Sequence, residues 1–231
     1  ADYYTLHCDN YLSTGLSPHM ENPDWQEGFT GTTFANRMIF HGYSGSPGWE
    51  IIAFLGHPEH AVNSWMETLY HRIPFVHPTT AELGYGLQNA GCMPGSSGVD
   101  VMNFGRGNPA GNEAVPYPID GQTAVPRMWM GLESPQPPLP PGENYPSGPV
   151  ITLTLAGGSF SISEHYLKDG EGNEVAHQFV EPMTDPAGFL VDTVSLYSFD
   201  PLAADTTYTV SVLGKWKNQE TVWEWSFTTG N

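Results

Sequence analysis

Positive charge is scarce in this chain. Seven Lys and Arg stand against 25 Asp and Glu, a formal net charge of −18. So acidic a surface repels phosphate backbones and anionic headgroups, which excludes nucleic acid as a partner and disfavours an anionic membrane surface. Cysteine is nearly absent: Cys8 and Cys92 are the only two, and they form no C-x-x-C pair, so a Cys-ligated zinc site is excluded. In an oxidising compartment the two can close one long loop as a disulfide; in a reducing one they are separate thiols. No long apolar run occurs, so no stretch reads as a transmembrane segment. The opening Ala1-Asp2-Tyr3-Tyr4 is neither basic nor followed by an apolar stretch, and does not read as a signal peptide. N-x-[ST] sequons are missing. So are H-E-x-x-H, G-x-S-x-G and D-x-D-x-D-G, the local signatures of zinc proteases, serine hydrolases and calcium loops.

What is present is a globular composition. Hydrophobic residues make up 39% and charged residues 14%, which gives ample apolar surface for a core. Histidine and lysine are segregated. Seven of the nine histidines precede residue 78, and all three lysines, Lys168, Lys215 and Lys217, follow residue 160. Between them, Glu133-Ser134-Pro135-Gln136-Pro137-Pro138-Leu139-Pro140-Pro141 is too proline-rich for a helix and reads as a stiff extended linker. The organisation this implies is a first domain over 1–130, a proline-rich linker over 131–147 and a second domain over 148–231.

The first domain reads as mixed α and β. Tyr4, Cys8 and Tyr11 recur at helical spacing up to Gly15. Thr30 to His41 can form a second helix, with Thr30 or Thr32 as its N-cap and Gly42 as its end. Pro58 to Tyr70 reads as a third, with Val62, Trp65, Met66 and Leu69 as its buried stripe. Strands follow at Ala81–Ala90 and Val99–Phe104. The second domain reads as all strand. Val150 to Leu155 alternates apolar and polar, as do segments near 160, 195, 210 and 225. Asp169-Gly170-Glu171-Gly172-Asn173 is a hairpin turn. Pro201 to Val210 places Tyr208 at a strand corner, as in antiparallel sandwiches. Phe160, Trp216, Trp225 and Phe227 are the candidate core.

Three residues carry the chemical question. His19, Glu50 and His71 are too far apart in sequence to share a helix, so only the tertiary fold can bring them together. If they meet, two neutral imidazoles and a carboxylate can hold a divalent ion such as zinc. The alternative is that both histidines hydrogen-bond to Glu50 and tie loops together. His57 and His60 read as a solvated helix end.

The ordered strings His19-Met20-Glu21, Phe29-Thr30-Gly31 ahead of Arg37, Gly48-Trp49-Glu50-Ile51, Trp65-Met66-x4-His71-Arg72 and Gly84-x-Gly86 resemble the bacterial form of the CAP superfamily, the SCP-like extracellular domains. The resemblance covers residues 1 to about 105. Residues 148–231, ending in Trp225-Ser226-Phe227-Thr228-Thr229, resemble a bacterial Ig-like domain. The fold implied is α+β: a CAP-like α-β-α sandwich followed by an all-β Ig-like sandwich. The family carries a further helix ahead of the first one read here; under the resemblance that helix either has been removed or lies outside this sequence. It also implies a groove lined by two His and two acids. His19, Glu50 and His71 take three places. The fourth falls on Thr68, with Glu67 one residue away and Glu21 able to substitute.

The function this implies is a secreted or cell-surface binding or structural protein, without enzymatic activity, whose groove can take a divalent metal. Its partner would be an extracellular protein or a small apolar or cationic ligand. The alternatives are a metal-dependent hydrolase and a subunit of an extracellular homo-oligomer or polymer.

Overall fold

A computed structural model describes residues 1–92, 95–108 and 113–231. Strand accounts for 35% of it and helix for 15%, with five short helices and three sheets. That balance favours an all-β class and overturns the α-β-α sandwich expected for the first domain. The reason is local. The first helix is interrupted at His7 into α1 (Asp2–Leu6) and α2 (Cys8–Thr14), which Gly15 stops in the left-handed region. Helix α3 (Phe34–Phe40) has only seven residues and α4 (Pro58–Glu67) has ten. Its successor α5 (Ile73–Val76) is a single turn. Helices this short do not make a continuous layer and take their stability from packing.

The chain divides into two units: residues 1–66 with 79–108, and residues 67–78 with 109–231. The division does not fall at the proline-rich segment, where the sequence places it.

The first unit is built on a three-stranded antiparallel sheet of order β1-β3-β2, with β1 Ser46–Ala53, β2 Thr80–Gln88 and β3 Val99–Arg106. The central strand is almost wholly buried. Glu50 of β1 and Gly84 of β2 both pair with Asn103 of β3, and Gly86 pairs with Val101. Tyr3, Tyr4 and Tyr11 pack with Val99 and Val101 as the core, flanked by Trp25, Phe29 and Phe54. Cys8 and Cys92 form a disulfide with their Cα atoms 5.2 Å apart. Helix α3 is capped by Thr33, rather than Thr30 or Thr32, because Asn36 completes a capping box with it.

The second unit holds two four-stranded sheets of order β5-β11-β10-β7 and β4-β6-β9-β8. Their strands are β4 Val115–Tyr117, β5 Gln122–Val125, β6 Ile151–Thr154, β7 Phe160–Lys168, β8 His177–Val180, β9 Thr193–Ser198, β10 Thr207–Trp216 and β11 Gln219–Thr229. Ile151, Leu153, Val194 and Leu196 from one sheet share a core with Leu167, Val210, Val212, Trp225 and Phe227 from the other. Phe160 and Trp216 pack against its rim. The β10–β11 hairpin turns at Lys217-Asn218, both at positive φ (52° and 64°), as a tight turn matched to strand twist requires. The hydroxyl of Tyr208 accepts from the Ala203 N–H at 2.9 Å, so the tyrosine does close the strand corner.

The segment read as a linker is packed into this unit. Trp129 and Ser147 exchange backbone hydrogen bonds of 2.9 and 3.0 Å, closing the stretch into a loop. Within it, the Tyr145 hydroxyl donates to the Pro137 carbonyl, and Tyr197 donates to that of Pro138. Leu139 and Tyr145 pack on a core of Leu69, Tyr70, Ile73, Trp129 and Tyr197.

Candidate functional site

Two of the three expected residues meet in the first unit. Glu50 leaves the middle of β1 with its side chain only 3% exposed. One Arg37 nitrogen, from α3, donates to both Glu50 oxygens at 2.7 Å, and His19 Nδ1 donates to Oε1 at 3.0 Å. The same arginine nitrogen reaches the His19 carbonyl at 3.1 Å. Glu21 lies on the other side of the guanidinium, 3.8 Å from Arg37 Nε. Its carboxylate accepts from the Thr30 and Gly31 N–H groups at 2.7 and 3.1 Å. Two buried carboxylates thus share one guanidinium. Arg37 is the member of this cluster that sequence reasoning left unassigned; with only seven cations in the chain, an arginine bracketed by His19, Glu21 and Glu50 was the available signal.

His71 lies in the second unit and has another partner. Its Nδ1 is 2.6 Å from Glu133 Oε1. Glu133, with no side-chain exposure, also accepts from the N–H groups of Leu69, Tyr70 and His71, each at 2.9 Å. The carboxylate therefore caps three consecutive amides where the chain leaves α4. Nothing in the local sequence of a proline-rich stretch marks such a role. Thr68 is buried in the same unit. Glu67 has its pKa raised by partial burial, against the opposing pull of the Arg72 guanidinium.

Among the described residues, no group of three or more His, Cys, Asp or Glu is placed to hold a metal ion. Glu50 is occupied by Arg37 and His19, and His71 by Glu133. His57 and His60 sit ring to ring at 4.4 Å and are exposed.

Arg37 links the cluster to a cavity of about 730 Å³ over the sheet of the first unit. One wall is Arg37, Met38 and His41; the floor is β2 and β3. That floor is nearly bare. A side chain at Gly84 or Gly86 would meet nothing within 4 Å, so the space above the strand is open. Gly105 is bare for another reason: Tyr43 lies where its Cβ would be. The Glu82 carboxylate beside the Tyr43 hydroxyl pushes that phenol's pKa up. Asn103 Oδ1, in the middle of the floor, is shielded from solvent and has no hydrogen-bond partner among the described residues. Burial raises the pKa of Tyr85 at the cavity edge, reinforced by its hydrogen bond to the buried Asp100.

No protein-family model matches the chain, and no curated protein sequence matches it. A functional reading therefore stands on the site itself.

Proposed function

We propose that this is a non-enzymatic binding protein that works outside the cell, with the cavity of the first unit as its ligand site. The observation that carries the reading is the bare floor. Glycines inside a strand weaken it, and their use marks a place where something approaches the backbone closely. Gly84 and Gly86 do this in the middle of the sheet, Gly84 opposite Asn103 and Gly86 opposite Val101. A flat, apolar or cationic ligand fits best. The chain is strongly acidic, Glu82 borders the cavity, and the one arginine in its wall is neutralised by Glu50 and Glu21. The Cys8–Cys92 disulfide supports an oxidising location, as does the resemblance of residues 1–105 to secreted domains.

The acid cluster behind Arg37 favours binding over hydrolysis. A general base needs a carboxylate free to take a proton, whereas both Glu50 oxygens are engaged at 2.7 Å. In this reading His19, Glu21 and Glu50 hold the cavity wall in place.

Thioflavin T, a flat cationic aromatic dye, is a suitable probe. It is expected to bind the unaltered protein saturably, and a Gly84→Val/Gly86→Val variant, with far-UV circular dichroism unchanged, is expected to bind at least tenfold more weakly. Equal affinity in the two proteins, or no binding to the unaltered one, overturns the proposal.

A further inference from the structure

The second unit brings two histidines together from different sheets. His165 stands on β7 and His177 on β8, the outer strands of the two four-stranded sheets. His165 Nδ1 and His177 Nε2 are 2.9 Å apart. His177 is fixed from behind, where its Nδ1 donates to the Val175 carbonyl at 2.7 Å. That bond keeps the proton on Nδ1 and aims the lone pair of Nε2 at His165. His165 is held by stacking on Phe179, with centroids 4.1 Å apart and planes at 9°. Both rings are partly exposed, so an ion and its waters can reach them.

We propose that His165 Nδ1 and His177 Nε2 form a two-imidazole site for a transition metal, copper(II) or nickel(II), with water completing its coordination. The separation suits neighbouring positions on one ion, once each ring turns its nitrogen off the hydrogen-bond axis. With metal–nitrogen bonds of about 2.0–2.1 Å, two donors 2.9 Å apart subtend roughly 90° at the ion. That is the angle between neighbouring positions of a square-planar or octahedral sphere, the geometry of copper(II) and nickel(II). Tetrahedral zinc would need nitrogens about 3.3–3.4 Å apart at the same bond length. A backbone carbonyl fixing the far nitrogen is also how metal-ligating histidines are held in the right tautomer. Glu174 adds negative charge near His165. On binding, the His165 proton moves from Nδ1 to Nε2, and the ring-to-ring hydrogen bond is replaced by two metal–nitrogen bonds with no net proton released. The site lies outside the first-unit cavity and is independent of the binding proposal.

The test is titration of the full chain with copper(II), added as its bis-glycine complex and followed by electron paramagnetic resonance. One saturable equivalent with coupling to two nitrogens is expected. His165→Gln and His177→Gln should each weaken it at least tenfold, while His57→Gln/His60→Gln leaves it unchanged. A hydrogen-bonded pair only, with no saturable equivalent or with a signal surviving in His177→Gln, overturns the proposal. If neither single variant folds, the Phe179 ring protons of the unaltered protein decide the matter: broadening at one equivalent supports the site, and sharp lines refute it.

Discussion

Removing the guanidinium of Arg37 is the most instructive perturbation of the first unit. In Arg37→Met, Glu50, whose side chain is 3% exposed in the unaltered protein, loses both of its 2.7 Å hydrogen bonds from arginine and keeps His19 as its side-chain partner among the described residues. Breaking a buried ion pair from one side costs about 3–5 kcal/mol, because the remaining charge stays buried and uncompensated. The His19 carbonyl loses its 3.1 Å donor as well. Replacing both members by apolar residues of similar volume is frequently close to neutral, so Arg37→Met/Glu50→Met should recover most of the loss and lie within about 2 kcal/mol of the unaltered protein. Urea unfolding followed by the indole resonances of Trp25 and Trp49 reports this unit. A single variant costing less than about 1 kcal/mol, or a double variant as unstable as the single, would refute the reasoning.

Three further outcomes follow from the same physics. Glu133→Ala leaves three consecutive amides and the His71 imidazole without their buried acceptor, and should destabilise the second unit by about 3–5 kcal/mol in urea unfolding. Reducing Cys8–Cys92, which spans 84 residues, should cost about 4–5 kcal/mol by loop-closure entropy, measured by unfolding with and without reductant. Burial alone would raise the pKa of Asp185. Hydrogen bonds from the Tyr70 hydroxyl and from the amides of Leu190, Ala187 and Phe189 outweigh it and hold the carboxyl below the ordinary range. Its stabilisation is therefore complete above the unfolded carboxylate pKa and lost as pH falls through the lower folded value. Thermal unfolding between pH 2 and 7 should show Asp185→Asn less stable at neutral pH and less sensitive to acid.

The second unit was the more legible part of the sequence. Alternation is strict where one face of a strand is buried, so 207–216 and 219–229 announce themselves, and the Pro201–Tyr208 corner is a local motif with a local hydrogen bond. Strands β4 and β5 escaped because three or four residues cannot establish a period. In the first unit, helical spacing overran the helices: it continues from Tyr4 to Tyr11 across the break at His7, and from Pro58 to Leu69 beyond the end of α4 at Glu67. His19 does lie 3.0 Å from Glu50, but residue types alone put His71 beside Glu50 equally well. The separation of His71 was not readable, because its partner Glu133 sits 62 residues away in a stretch whose composition suggests only a spacer. Proline density rules out a helix but is silent on whether the chain packs, and here Leu139, Tyr145 and Glu133 pack it down.

Backbone amide chemical-shift mapping with thioflavin T tests the binding proposal most directly. The account places the largest changes at Gly84, Gly86 and their neighbours on β2, over the open floor of the first-unit cavity. Changes confined to the second unit, or none at saturating dye, would contradict it.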